Sequence, residues 1–559
     1  MTIKQPIVVI RRLILVVLTI IAIANITSSL VRSWGQPQIQ SRLELYQTNL
    51  LLHASEWQGK NAEAAKSQDA TPDLTAARNA LLGSEPLKTA QKQYQESRQL
   101  AQTTQSQISE RLQELSSKEL VTPPDVAKPQ QQMPPVADPA TGSQKRQQLQ
   151  KSLSQVKQQL QKSLSQVKQL IDELDLRLGI LQVQQGQTDA AIKSWSKLSN
   201  QSSVDTLDPP EASLAQTAAV LMGLWSEPPR LLPDAEPQIQ KNLDSWFRYR
   251  ALTQLYQLQQ RQDALLSLQA KEQEIAEQAI FKLAVIGGIP GFGGLLGLGL
   301  LVFVLAQRLL QGKRSLLATN GDVPWETPWD WEIVWQVLIL GFFFIGQLLL
   351  PVLFEVLGFN PVSFSVRMQA FYVLISYLLM AFGGLLVLYF SIKPFLPLPD
   401  DWFRFKLRSN WIAWGLGGYL VALPLVIVVS LINQQLWKGQ GGSNPILPLA
   451  LEGRDSVALL IFFITACVAA PVFEEIIFRG FLLPSLTRYV PVWGAILASS
   501  LVFAIAHLSL SEVLPLATLG MVLGVVYTRS RNLLASMLLH GLWNAGTLLS
   551  LFVLGSGSK

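Results

Sequence analysis

The chain has 559 residues, of which 49% are apolar, and its formal net charge is +6. Several apolar runs reach the roughly 20 residues that cross a bilayer as a helix, which excludes a chain made only of soluble globular domains. The basic residues form no dense stripe, so the positive charge does not indicate nucleic-acid binding. The single cysteine excludes an intrachain disulfide.

Residues 1–34 have the pattern of a signal anchor. Arg11 and Arg12 precede an apolar run over residues 13–26, an order that predicts a cytoplasmic N-terminus and export of the segment that follows. Ala22-Ile23-Ala24 resembles a signal-peptidase site. Because the apolar character continues to Leu30-Val31, we expect an uncleaved anchor, that is, a transmembrane helix.

Residues 35–278 are rich in Gln, Ser, Leu and Ala and predict an extracytoplasmic helical region. A Pro- and Gln-rich stretch over about 121–145 divides this region and is typical of a flexible linker. After it, the segment 150–158 recurs at 161–169. A period of eleven residues, or about 3.67 residues per turn, favours one extended helix or a coiled coil.

A second pattern in this region is the spacing of a tetratricopeptide helix pair, formed by Gly179, Gly186, Ala191 and Trp195. One good match falls short of the roughly three repeats that a solenoid needs. An irregular helical bundle is the simpler interpretation, and a docking surface for a protein partner is the functional one. His53 has no acidic or histidine neighbour at the spacing of a ligand pair, so we expect a surface or packing histidine.

Residues 279–559 return to the membrane repeatedly. Membrane-crossing helices are predicted near 280–309, 331–356, 368–391, 411–433, 457–488, 492–508, 513–528 and 531–553. Basic residues in alternate loops agree with a cytoplasmic N-terminus. The sequence therefore predicts an all-α, polytopic membrane helical bundle of about eight core transmembrane helices plus the N-terminal anchor. The extramembrane region is expected to be helical and partly coiled-coil or TPR-like, and the membrane to be a bacterial inner membrane or a thylakoid.

Ionisable residues stand inside one of these apolar helices, in the segment Pro471–Gly480. Charged side chains are costly within a bilayer and usually mark a functional site. Glu475 and Arg479 are one helical turn apart and can pair along one face. Glu474 lies about 100° further round the helix, so it must face other partners.

Two of the three histidines, His507 and His540, lie in later apolar segments. At about 1.5 Å per residue, Glu474 and His507 both lie about 25 Å from the predicted turn near residues 489–491, on antiparallel helices. His540 is about 15 Å into its own helix, and Asn544 follows one turn later on the same face. We therefore expect these four polar side chains to meet in one interior zone.

A carboxylate and imidazoles in a low-dielectric cavity suit a hydrolase. The carboxylate can accept a proton from water, while an imidazole orients that water. A second imidazole and an amide can donate hydrogen bonds to the oxyanion. The same set, Glu474, His507 and His540, is also suitable for a divalent metal such as zinc with an open position for water. No His-Glu-x-x-His motif is present, and the residues alone leave metal-free and metal-dependent catalysis open.

Three motifs follow one another along the membrane region: Glu474-Glu475-x-x-x-Arg479, Phe503-x-x-x-His507 and His540-x-x-x-Asn544. Together they resemble the motifs of the CAAX protease and bacteriocin-processing (CPBP) family. That family includes the type II CAAX prenyl endopeptidases and the bacterial Abi proteins. The resemblance covers about residues 330–553.

The resemblance implies an intramembrane endopeptidase that cleaves a peptide bond in a membrane-associated protein or peptide, whether prenylated or not. It implies that Glu474 is the general base that activates water and that His507 helps to hold this water. It also implies that His540 and Asn544 form the oxyanion site. The supporting residues that it implies are Glu475, Arg479 and Phe503.

Two other function classes fit parts of the pattern. A non-proteolytic scaffold would recruit or stabilise a partner through the extramembrane helical region, but it gains nothing from buried ionisable groups. A proton-coupled transporter would also use Glu and His in the membrane. It would show broken helices in two similar halves, and the sequence has no such halves.

Overall fold

The computed structural model describes residues 4–34, 36, 38–58, 82–83, 85–120, 139–200, 209–359, 361, 364–444, 446–452 and 455–556. Within these ranges the chain is helical and has no strand, which confirms the all-α fold class. Two compact units are present. The membrane unit comprises residues 1–43 and 282–557, and the extramembrane unit comprises residues 44–281 with 558–559.

The principal helices run from the N-terminal anchor to the last membrane helix. In chain order they are α1 (Lys4–Trp34), α2 (Ile39–Ser55), α3 (Pro86–Leu120), α4 (Pro139–Gln184), α5 (Thr188–Asn200), α6 (Pro209–Trp225), α7 (Ala235–Asn242), α8 (Ser245–Leu258), α9 (Gln262–Leu283), α10 (Ile289–Gln311), α11 (Trp331–Val356), α12 (Val366–Ile392), α13 (Trp411–Trp437), α14 (Ile446–Glu452), α15 (Ser456–Leu486), α16 (Val492–Ile505), α17 (Val513–Ser530) and α18 (Leu533–Gly555).

Eight helices in the described part of the chain are long and apolar enough to cross a membrane. They include the predicted N-terminal anchor and seven of the predicted core spans, which confirms a multi-pass integral membrane protein. The predicted span 492–508 is wrong in length, because α16 has only 14 residues. At about 1.5 Å per residue α16 is about 21 Å long, whereas the hydrocarbon core is about 30 Å thick.

The N-terminal helix α1 is tied into the membrane unit by polar contacts. Glu332, at the start of α11, accepts hydrogen bonds from both Arg11 and Arg12, with 3.0 Å from Arg12 Nη2 to Glu332 Oε2. The indole Nε1 of Trp335 donates to Thr19 Oγ1 at 2.7 Å. These bonds pair a buried carboxylate and satisfy groups that lipid cannot satisfy. Whether the anchor is cleaved stays a prediction.

In the extramembrane unit, the duplicated segment lies within the single 46-residue helix α4, which is the extended helix that its period favours. The helix begins at Pro139, so the last residues of the predicted linker are helical, and residues 121–138 lie outside the described part of the chain. Proline suits a helix start because the first N–H groups have no partner within the helix. Asp175 of α4 accepts a hydrogen bond from Arg98 Nη2 of α3 at 3.0 Å.

The turn after α4 and the helices beside it contain the glycine and tryptophan contacts that a tetratricopeptide-like helix pair requires. Gly186 adopts φ of +77°, a left-handed conformation that favours glycine. Gly179 lies against Trp195, since a Cβ there would be 2.3 Å from the indole Cε2 atom. Trp195 itself is completely buried. The close helix contact therefore explains the spacing of these residues, and a docking role for this surface stays a prediction.

Candidate active site

The adjacent carboxylates lie in the middle of α15, between two π-helical segments, Thr465–Ala469 and Ile476–Leu482. Glu475 and Arg479 are both fully buried, and Arg479 Nη1 donates to Glu475 Oε1 at 2.9 Å. Interruptions of this kind in an α-helix frequently occur at functional sites. Here the buried charges neutralise each other along one face of the helix.

Arg479 has two further contacts that hold its guanidinium. Its Nη2 donates to the backbone oxygen of Gly520 on α17 at 3.1 Å. Its Cζ lies 4.5 Å from the ring centroid of Phe503, which is within the range of a cation–π contact. The arginine is therefore fixed by three different helices, and Glu475 is fixed through it.

Glu475 in turn orients His540 of α18, whose Nδ1 lies 2.9 Å from Glu475 Oε1. A carboxylate paired with arginine accepts hydrogen bonds, so Nδ1 carries the imidazole proton. The other ring nitrogen, Nε2, lies 3.9 Å from Glu474 Oε2. That separation is too long for a direct hydrogen bond. The structure thus brings Glu474, Glu475 and His540 together.

The two oxygens of Glu474 have different surroundings. Oε1 accepts a hydrogen bond from the hydroxyl of Tyr377 at 2.9 Å. Oε2 is buried and has no hydrogen-bond partner among the described residues. A buried carboxylate oxygen without a partner costs free energy, so this atom is ready to bind a donor.

Tyr377 is a site residue that the sequence reasoning missed. It lies on α12, far from the three motifs, and its only sequence signal is a hydroxyl inside an apolar span. Gly384, two turns later on the same helix, explains why the Tyr377 hydroxyl can contact Glu474. A Cβ at Gly384 would lie 2.8 Å from the backbone oxygen of Gly341 and 2.9 Å from Phe473 Cε2. The missing side chain lets α12 approach the carboxylate helix closely.

His507 differs from its predicted place on a helix. It lies in the turn after α16, which ends at Ile505, because the short helix stops before it. Its Nδ1 lies 2.9 Å from the backbone oxygen of Phe503, an acceptor, so Nδ1 carries the proton and Nε2 has a free lone pair. Within the described residues no hydrogen bond or ion pair joins His507 to Glu474.

Phe503 lies between the two histidines. Its ring centroid is 4.9 Å from that of His507 and 5.7 Å from that of His540, with edge-on geometry in both pairs. The ring is completely buried. Phe503 therefore packs against both imidazoles. A direct contact between His507 and Glu474 stays a prediction.

Asn544 Nδ2 donates to the backbone oxygen of Ala466 at 2.7 Å. The backbone of α15 explains why this oxygen needs a side-chain donor. In this π-helical segment the N–H of Ala470 bonds five residues back, to Thr465, so the oxygen of Ala466 would require the N–H of residue 471. That residue is Pro471, which has no N–H. One hydrogen of Asn544 is thus used to satisfy α15, and the second remains for other acceptors.

Comparisons with known proteins identify the same part of the chain. Residues 456–546 match the family model described as "Type II CAAX prenyl endopeptidase Rce1-like". This segment contains all three motifs. The match, together with the protease relatives described next, supports a CPBP family protease.

Two curated relatives resemble part of this chain at low identity. The "Membrane-embedded CAAX protease MroQ" of Staphylococcus aureus (strain USA300) is 27% identical over 139 residues, which are 24% of this chain and 55% of that protein. The "Putative membrane peptidase YdiL" of Bacillus subtilis (strain 168) is 26% identical over 133 residues, 24% of this chain and 53% of that protein. The chain thus spans about half the length of these relatives. No solved structure matches it.

The predicted metal ligands of the membrane unit do not form a cluster. In the part of the chain that the structure describes, no group of three or more His, Cys, Asp or Glu side chains is arranged to hold a metal ion. Glu474 and His540 face each other, but His507 is not joined to them. Zinc binding by Glu474, His507 and His540 stays a prediction.

Proposed function

We propose that the membrane unit is an intramembrane endopeptidase and that Glu474 is its general base. The observation that carries this proposal is the buried, unpartnered Oε2 of Glu474, 3.9 Å from Nε2 of His540. Both atoms are acceptors when Glu474 is ionised and His540 holds its proton on Nδ1. A water molecule has two hydrogens and can donate one to each acceptor.

Such a water is a suitable nucleophile for a peptide bond. Its oxygen forms a bond to the carbonyl carbon while one of its protons moves to Glu474 Oε2. The carbon–nitrogen bond then breaks, and Glu474 returns the proton to the departing nitrogen. The carboxylate is regenerated, so the cycle is balanced. General base catalysis by a positioned group contributes about 10²–10⁴-fold in rate.

The neighbouring residues act through Glu474 and the substrate. Tyr377 donates to Oε1 and so directs Oε2 towards the water. Glu475 and Arg479 hold His540 in the required tautomer. The second amide hydrogen of Asn544 remains available for the oxyanion. In this assignment His540 is the histidine next to the base, the position that the resemblance implies for His507.

The proposed substrate is a membrane-associated protein or peptide. The family model and the Staphylococcus relative are described as CAAX proteases, and the candidate side chains lie within apolar helices. None of the contacts above distinguishes a prenylated from an unmodified peptide. The substrate must therefore be found from cells.

The test compares protein termini in membrane fractions of cells that carry the wild type or Glu474→Gln. Glutamine keeps the size of the side chain but cannot accept the proton. The control is Glu355→Gln, an exposed carboxylate on α11. We expect certain termini to be present with the wild type and the control and absent with Glu474→Gln. Identical termini in all three, at equal expression, would overturn the proposal and favour the scaffold.

A further inference from the structure

The extramembrane unit has its own histidine–carboxylate cluster. His53 Nδ1, near the end of α2, lies 2.5 Å from Glu272 Oε1 of α9. Its Nε2 lies 2.7 Å from Ser245 Oγ, at the first residue of α8. His53 is buried, so the surface alternative of the prediction is wrong and the packing alternative stands, now with an acidic partner. The acid lies 219 positions away in sequence, so no local spacing reveals it.

The order of these groups fixes the protonation of the imidazole. The carboxylate of Glu272 accepts, so Nδ1 of His53 carries the proton, and Nε2 has the lone pair that accepts the hydroxyl hydrogen of Ser245. A hydroxyl, a base within hydrogen-bonding distance and a third group that orients the base are the signature of an activated nucleophile.

The burial of the three side chains suits the same role. His53 and Glu272 are only 4% and 2% exposed, so the base and its orienting acid are shielded from water. Ser245, by contrast, is half-buried and reaches the surface of the unit. Of the three side chains, only that of the proposed nucleophile is partly exposed.

The backbone at Ser245 is strained, as it is at many nucleophiles. Its φ is +54°, a left-handed conformation that non-glycine residues rarely adopt. Strain of this kind persists only where surrounding contacts enforce it, and it concentrates at functional sites. Here it is found at the residue whose hydroxyl contacts His53.

The helix start supplies hydrogen-bond donors beside the hydroxyl. Asp244 makes no side-chain cap for the 14-residue helix α8. Its carboxylate instead pairs with Arg177 Nη2 at 3.2 Å. The N–H groups of the first turn, starting after Ser245 with Trp246, thus receive no cap from Asp244, and a helix N-terminus favours developing negative charge.

The other charged groups near this cluster are also paired. Glu56 accepts a hydrogen bond from the indole Nε1 of Trp246 at 2.8 Å. Arg250 Nη1 lies 3.5 Å from the same Glu56 oxygen. Neither of these charged side chains is hydrogen-bonded to the side chain of Ser245 or His53. The series of hydrogen bonds from Glu272 through His53 to Ser245 is therefore not interrupted.

We propose that Ser245, His53 and Glu272 form an acyl-transfer site that hydrolyses carboxylic esters. Ser245 Oγ bonds to the ester carbon while its proton moves to His53 Nε2. The bond to the alcohol oxygen breaks, and His53 gives that oxygen the proton. Water then attacks the acyl-serine and loses a proton to His53, and Ser245 Oγ leaves with that proton. Every atom of ester and water is accounted for in the acid and alcohol released.

The test uses the purified full chain in detergent with a fluorophosphonate probe, which labels activated serines, and p-nitrophenyl acetate. We expect the probe on Ser245 by peptide mass analysis. Ser245→Ala should abolish labelling, and His53→Gln should slow ester hydrolysis about 10²–10⁴-fold. Ser267→Ala, an exposed serine on α9, is the control and should behave as the wild type.

Three results separate this site from its alternatives. Labelling of Ser245 should persist in the Glu474→Gln protein, so failure of the membrane protease proposal leaves this one testable. A wild-type chain that is labelled elsewhere, or not at all, would overturn the proposal. So would ester hydrolysis that is unchanged in Ser245→Ala, and the site of labelling in the wild type does not depend on how any variant folds.

Discussion

One histidine in each unit, His540 and His53, is held by a carboxylate at one ring nitrogen, and the two differ in what the other ring nitrogen contacts. In the membrane unit, Nδ1 of His540 lies 2.9 Å from the buried Glu475, and in the extramembrane unit Nδ1 of His53 lies 2.5 Å from the buried Glu272. At Nε2, His540 faces a second carboxylate, Glu474, at 3.9 Å. His53 instead meets a serine hydroxyl at 2.7 Å.

This difference decides which nucleophile each cluster is suited to. Two acceptors separated by a gap require a molecule with two donors, and in the proposed reaction this water attacks the substrate without a covalent enzyme intermediate. A hydroxyl bonded to the imidazole is a built-in nucleophile, so the reaction passes through an acyl intermediate. In the two proposed reactions, the same imidazole tautomer therefore serves water activation in one unit and serine activation in the other.

The strongest way to break the membrane cluster is to remove the cation that neutralises Glu475. Arg479→Leu leaves a fully buried carboxylate without its ion pair, which costs about 3–5 kcal/mol. We expect a large loss of thermal stability of the purified protein in detergent. Arg367→Leu is the control, because Arg367 pairs with Asp455 near the surface, where a pair contributes about 0–1 kcal/mol. Equal losses for both variants would contradict the assigned role of the buried pair.

The contact of Asn544 allows structure and chemistry to be separated. Asn544→Ala leaves the backbone oxygen of Ala466 without a donor, at a cost of about 1–3 kcal/mol in unfolding free energy. If the second amide hydrogen also serves the oxyanion, kcat should fall by about 10²–10³ as well. The measurement is thermal unfolding in parallel with cleavage of a substrate from the terminus analysis. Lost stability with unchanged kcat would limit Asn544 to supporting α15.

The sequence alone predicted the N-terminal anchor, seven of the core membrane helices and the contact within one helix between Glu475 and Arg479, but not the contacts between helices. Glu475 and Arg479 are one turn apart in one helix, so local geometry was enough to pair them. Tyr377 could not be found, since its link to Glu474 depends on how closely α12 packs. The position of His507 was wrong because helix ends are set by local caps and turns that hydropathy does not report.

Tyr377 tests how precisely the general base must be placed. Tyr377→Phe removes only the hydroxyl that donates to Glu474 Oε1 at 2.9 Å. We expect kcat to fall about tenfold, which corresponds to about 1.4 kcal/mol, with KM unchanged and a shifted pH–rate profile. Tyr389→Phe, an exposed tyrosine on the same helix, is the control. A loss of stability without a change in the pH profile would show a packing role instead.

The smallest expected effect concerns a surface carboxylate of the extramembrane unit. Glu236 accepts hydrogen bonds from Tyr256 and from Arg261, each at 2.7 Å, and these lower the pKa of Glu236 below its ordinary 4.5. A lowered folded-state pKa stabilises the protein above the unfolded pKa, and this contribution is lost as the pH falls through the lowered value. Because solvent screens this partly exposed group, the contribution is below about 1 kcal/mol. Glu236→Gln should therefore be slightly less stable than the wild type at neutral pH, by hydrogen exchange of α8 and α9. The difference in stability between the two proteins should disappear in acid. A difference that stays constant or increases as the pH falls would contradict the assigned hydrogen bonds.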